Sequence, residues 1–61
     1  MQVEMSGSKI RSRAKSVSEL LQSAGISREE ALVKVNGVVR PDSWKLSAKD
    51  KVEIIKVVFG G

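Results

Sequence analysis

A chain of 61 residues with eleven Lys and Arg against seven Asp and Glu, a net charge of +4, is a single small basic domain. It contains neither His nor Cys, which removes the usual general base, the commonest metal ligands, a thiolate nucleophile and any disulfide framework. A domain this size buries only roughly 60% of the surface its unfolded chain exposes, too little for a deep catalytic cleft, so a handle, tag or binding module is expected rather than an enzyme. No apolar run approaches the roughly 20 residues that span a bilayer. The opening Met1-Gln2-Val3-Glu4-Met5 is polar and acidic where a secretory leader is basic and then apolar, so a cytoplasmic setting is expected.

The first element is a strand. Met1, Val3 and Met5 alternate with Gln2 and Glu4, which gives one buried face. Ser6-Gly7-Ser8 is turn chemistry, and a second strand is expected over Lys9 to Lys15. Its inward set, Ile10, Ser12 and Ala14, is weakly apolar, while Lys9, Arg11, Arg13 and Lys15 form a basic ladder on the other side. Ser16-Val17-Ser18-Glu19 is a capping box that starts a helix. Val17, Leu20, Leu21 and Ala24 follow at helical spacing, and Gly25 stands where a left-handed C-terminal cap belongs.

Ser27 to Glu30 repeats the capping spacing but reads as a connecting turn. Ala31–Val35 is a strand, and Asn36-Gly37 before Val38-Val39 is a strong signal for a two-residue hairpin, because both turn residues accept positive φ. Pro41, which has no N–H to donate, ends that hairpin. Trp44 and Leu46 are expected in a loop, with Trp44 plugging the edge of the core. Ser47 to Asp50 turns the chain into a long β-branched strand, Lys51 to Val58, which is followed by Phe59-Gly60-Gly61. Strands at both ends with one helix between them predict an α+β domain with a mixed four- to five-stranded sheet. The first and last strands should lie side by side at its centre, since they carry the best apolar faces.

The segments SVSELL, ALVKVNGVVRPDSW and KVEIIKVVFGG, in this order and at this length, resemble the ubiquitin-like β-grasp proteins. The nearest likeness is to the sulfur carriers of thiamine and molybdopterin synthesis, ThiS and MoaD, and to the small archaeal modifiers. It covers nearly the whole chain, read as one domain over residues 1–61 with a tail at 59–61. Where many members carry an Asp-Gly-Asp type of turn before the last strand, this chain has Ala48-Lys49-Asp50-Lys51.

The resemblance implies a carrier that holds no permanent cofactor. An activating enzyme spends ATP to adenylate the carboxylate of Gly61, with Gly60 beside it. Sulfur then converts the adenylate to a thiocarboxylate, for a thiamine, molybdopterin or tRNA thiolation pathway. The alternative is a protein modifier joined through Gly61 to target lysines, and a small basic RNA-binding module ranks third. Glycines suit the tail because, without side chains, they thread a narrow channel and bring a carbonyl to a nucleophile.

Alternation along the last strand sends Val52 and Ile54 to the helix and Ile55 and Val57 to the open face, where Leu32 and Lys34 share an antiparallel neighbour. Ile55 alone would be an ordinary exposed apolar residue. The ubiquitin-like resemblance implies that this face binds partners, so Ile55 with Leu32, Lys34, Val57 and Phe59 is expected to dock the activating enzyme and the sulfur acceptor or target protein. The basic ladder reads first as protection of a sheet edge and next as a contact for an acidic enzyme surface. Nucleic acid comes last, because Trp44 and Phe59 are the only aromatics and no stacking platform interleaves the charges. The chain is expected to be a monomer.

Overall fold

In the computed structural model, which describes residues 1–57, strand β1 spans Gln2–Met5 with Val3 fully buried and Gln2 and Glu4 exposed. Ser6 and Gly7 turn the chain at φ 52° and 81°, the two positive values of a tight hairpin. Strand β2 spans Ser8–Arg11, shorter than the expected Lys9–Lys15. Its ladder closes where the Ser12 N–H donates to the Met1 carbonyl at 3.0 Å. The Ser12 hydroxyl then accepts from the Ala14 N–H at 3.1 Å and turns the chain away. Ser12 and Ala14 offer too little apolar surface to hold four more residues on the sheet. Ile10 lies opposite Val3 yet stays 40% exposed, because β2 is an edge strand beyond the cover of the helix.

Helix α1, Val17–Ser23, starts on the Ser16 half of the expected capping box, with the Ser16 hydroxyl accepting from the Glu19 N–H at 3.1 Å; the Glu19 carboxylate makes no return bond to the Ser16 N–H. Two more of its first-turn donors are met from outside. Val17 N–H donates to the Trp44 carbonyl at 2.9 Å and Ser18 N–H to the Asp42 carbonyl at 2.8 Å. At the other end Gly25, at φ 70°, donates to the Gln22 carbonyl at 3.1 Å, and Ile26 N–H donates to the Leu21 carbonyl at 2.9 Å. That pair of bonds is a Schellman cap, and Leu21 and Ile26 are both buried beneath it. Arg28–Glu30 form one 3₁₀ turn, with the Ser27 hydroxyl accepting from the Glu29 N–H.

Strands β3 (Ala31–Val35) and β4 (Val38–Val39) flank Asn36 and Gly37 at φ 53° and 84°, the hairpin expected of Asn-Gly. Strand β5, Lys51–Lys56, completes a five-stranded sheet in the order β2-β1-β5-β3-β4. β5 runs parallel to β1 and antiparallel to β3, so the first and last strands adjoin at the centre. The strand expected to reach Val58 stops at Lys56. One further bond in the register of β3 and β5, from the Val57 N–H to the Glu30 carbonyl at 2.8 Å, closes the ladder, and Val58 lies outside the described residues. Val3, Val33, Val35, Val52 and Ile54 of the sheet meet Val17, Leu20 and Leu21 of α1 in one core, closed by Ile26 and Ala31. The mixed sheet with one helix across it is the expected architecture.

Trp44 does not plug that core. It is 39% exposed, and the Arg40 guanidinium stacks over it, 3.9 Å from the ring centroid. The Asp42 and Trp44 carbonyls are both committed to the start of α1, so the loop is fixed by its backbone and the indole lies outside. Leu46 packs against the core instead. Asp42 also meets Arg28 at 2.9 Å, an exposed ion pair that adds little to stability.

The entry to β5 is set by polar contacts. Asn36 donates its amide N–H to Asp50 at 3.0 Å and accepts from the Lys51 N–H at 3.0 Å, while Asp50 also accepts from the Ser47 N–H at 2.9 Å. The Ser47 N–H, and after it the Asn36 amide, stabilise the Asp50 carboxylate and lower its pKa below the ordinary 3.8.

Leu20→Ala should cost roughly 2–5 kcal/mol, since it empties the largest fully buried side chain. A chemical-denaturation midpoint near that of the parent would show that α1 lies on the sheet by another face. The depressed Asp50 pKa stabilises the fold above the unfolded value of 3.8, and that contribution fades as pH falls through the lower folded value. Melting curves of the parent and of Asp50→Ala should therefore lie apart near neutrality and converge below pH 3.8. Curves that stay equally far apart in acid would remove Asp50 from this role.

Candidate functional site

The sheet has a covered face and an open face, and the register says which residues share the open one. Directly opposed residues point the same way. Leu32 stands opposite Ile55, Lys34 opposite Glu53, and Val39 opposite Lys34. Across β1 and β2, Glu53 adjoins Glu4, and Glu4 adjoins Lys9. The open face therefore carries a row Lys9–Glu4–Glu53–Lys34 in which two neighbouring carboxylates are flanked by cations. Beside it, toward the end of β5, lies the apolar pair Leu32 and Ile55. Leu32 is 48% exposed and Ile55 half-buried, while Ile54 next to it is 2% exposed in the core.

The proposed docking residues Leu32, Lys34 and Ile55 are thus brought together on one face, as alternation predicts. Val57 sits just past the strand, half-buried and bonded to Glu30, where the chain leaves the sheet. Phe59, Gly60 and Gly61 lie outside the described residues. Val39, 49% exposed on the same face, was missed from the sequence. The signal was present, because a two-residue Asn36-Gly37 turn pairs Val35 with Val38 and hence Lys34 with Val39.

Leu32, Ile55 and Val39 form a small apolar patch beside charged residues, the composition of a docking surface rather than of a reaction centre. Among the described residues no group of His, Cys, Asp or Glu is placed to hold a metal ion. Among the described residues no helix is long and apolar enough to cross a membrane.

Residues 2–61 match the model of the ThiS family. The chain belongs to the ThiS family. The crystal structure of the ThiS thiamine biosynthesis protein of Geobacter metallireducens is similar over its full length, with a TM-score of 0.65, 26% identity and 100% of each chain covered. The solution structure of a thiamine biosynthesis protein from the same organism gives the same TM-score of 0.65 and 26% identity, with 88% of that chain covered. No curated protein sequence matches at a significant level. ThiS-family proteins are small sulfur carriers and not themselves catalysts, and membership implies an activating enzyme and a sulfur-acceptor enzyme as partners. The fold is accordingly a β-grasp.

Ile54→Asp should unfold this ThiS-family domain, because it places a charge in the core. Ile55→Asp should stay folded, since its carboxylate can remain in water on the open face. Circular dichroism of the two variants reads the register directly, and the reverse outcome would mean that β5 is displaced by one residue.

Proposed function

We propose that the protein carries sulfur for thiamine biosynthesis as a thiocarboxylate on the carboxyl group of Gly61. The observation that carries this reading is the extent of the family match, which runs through residue 61 and so takes in the glycine pair. The similarity to the thiamine biosynthesis protein of Geobacter metallireducens favours that pathway over molybdopterin synthesis or tRNA thiolation, and favours a carrier over a modifier of lysines.

The chemistry asks the chain for little beyond delivery. A carboxylate oxygen attacks the α-phosphorus of ATP in the activating enzyme and pyrophosphate leaves. Sulfide supplied by a partner as HS⁻ then adds to the acyl carbon, AMP departs with the electron pair of the C–O bond, and loss of the sulfur's proton leaves the thiocarboxylate. No acid, base or metal from the carrier is required, which accords with a chain devoid of His and Cys. What the carrier supplies is position. β5 is flanked on both sides, by β1 and β3, over its ladder, so the chain leaves the sheet at Val57 from a fixed point. Gly60 and Gly61 then offer no side chain to obstruct a narrow channel. Leu32, Lys34, Ile55 and Val57, with Phe59 beyond them, would seat the activating enzyme close to that exit.

A variant with one Ala added after Gly61 should keep the parental melting temperature and lose ATP–pyrophosphate exchange with the activating enzyme. Exchange at the parental rate by the intact, untrimmed variant would refute the tail as the working group. Ile55→Asp should retain exchange but need more enzyme to reach it, because an interface anchor commonly contributes 1 kcal/mol or more. An unchanged enzyme requirement would remove the open face from docking.

A further inference from the structure

The basic ladder read from the sequence does not exist as a ladder, and its replacement is a cluster that edge protection does not explain. β2 ends at Arg11, so Arg13 and Lys15 are on no strand edge. The fold instead gathers them with three cations from a distant segment. Arg11 adjoins Gln2, and Gln2 adjoins Lys51, in one row on the open face. Leu46 N–H donates to the Lys15 carbonyl at 2.8 Å, and Lys45 bridges to Ser16. Arg13 and Lys15 line a hollow with Leu46, Ser47 and Ala48, next to Lys49.

Arg11, Arg13, Lys15, Lys45, Lys49 and Lys51 are all exposed, and among the described residues the one ion pair is Arg28–Asp42, elsewhere. Of eleven cations and seven carboxylates in the chain, these six cations lie at this end with the carboxylate of Asp50, bordered by Glu19 in the first turn of α1 and by Glu4, which shares a hollow with Lys51, leaving five cations against four carboxylates elsewhere. Asp50 is itself engaged by Asn36 and Ser47. Most of the excess charge of the molecule therefore resides at the end where β5 begins, about 17 Å from where it ends, five rises of about 3.3 Å each. That exceeds the Debye length of about 8 Å at physiological salt, so the two ends act electrostatically on their own.

We propose that this end is a second binding surface, independent of the tail, for the phosphate backbone of a duplex nucleic acid. A surface with six cations against three carboxylates, one of them already held by Asn36 and Ser47, fits a uniform polyanion better than a protein, whose interfaces pair charges of both signs. Four of the six cations are Lys, a residue depleted in protein interfaces and common as a point-charge contact to phosphate. The single nearby indole, Trp44, already has the Arg40 guanidinium on its face. Without a stacking platform, single-stranded bases gain little here, and contacts to the backbone of a duplex remain.

The test is fluorescence anisotropy of a labelled RNA duplex of about 16 base pairs with the full chain, between roughly 50 and 200 mM salt. Neutralisation of four phosphates predicts a log–log slope of about −3.6, a loss of affinity of about a hundredfold over that range. Arg13→Gln with Lys49→Gln should weaken binding by at least tenfold. Gln22→Glu with Lys56→Gln, which lowers the net charge equally but away from this end, should leave it within twofold. Melting curves confirm that both pairs fold. A flat salt dependence, equal weakening by the two pairs, tighter binding of the matching single strand, or equal binding of a polyglutamate chain would each overturn the proposal, the last in favour of an acidic protein surface.

Discussion

The parallel pairing of β1 with β5 is the constraint on which the rest of the structure depends. A parallel pair cannot be closed by a tight turn and needs a long crossover. Everything between Met5 and Lys51 serves that crossover. β2 folds back along the outer edge of β1, α1 crosses the covered face, and β3 returns on the far side of β5. The pairing sets Val3 beside Val52 and Met5 beside Ile54, so the two central strands present their apolar faces to α1 together. Because the sheet is short and the helix has only seven residues, neither would persist without the other.

The same arrangement separates two surfaces. β5 carries the chain from the cationic end, where Asn36 and Asp50 fix its entry, to the apolar patch of Leu32, Ile55 and Val39 beside its exit. The patch therefore lies beside Val57, the last described residue, which is what the proposed role asks of a partner that grips the body while working on Gly61. The cations stand at the other end of the strand, clear of that contact.

Much of this was legible because it rests on local chemistry. Ser16, Gly25 and Asn36-Gly37 each impose a backbone conformation that few other residues supply, and all three occur as expected. Alternation was equally reliable where one face is buried, as in β1, β3 and β5. It failed in β2, where Ser12 and Ala14 gave no apolar face and a hydroxyl bond decided the outcome. Trp44 was misplaced for a different reason. Its loop is held by carbonyl oxygens given to α1, and a backbone acceptor leaves no mark on residue type. The gathering of Arg13 and Lys15 with Lys45 and Lys49 was likewise invisible, since it depends on that long-range strap. Of the candidate site, the open-face residues followed from register, whereas the roles of Gly60 and Gly61 came from family likeness and not from packing.

The central claim is that Gly61 carries the sulfur, and the intact mass of the protein isolated from its own host tests it most directly. Isolation under non-reducing conditions, with and without alkylation of any free sulfur, distinguishes the forms. The account predicts a fraction of molecules in which one oxygen is replaced by sulfur, with the alkylated group mapped to Gly61 in the terminal peptide. A chain of unmodified mass alone, or one whose added sulfur maps anywhere other than Gly61, would contradict it.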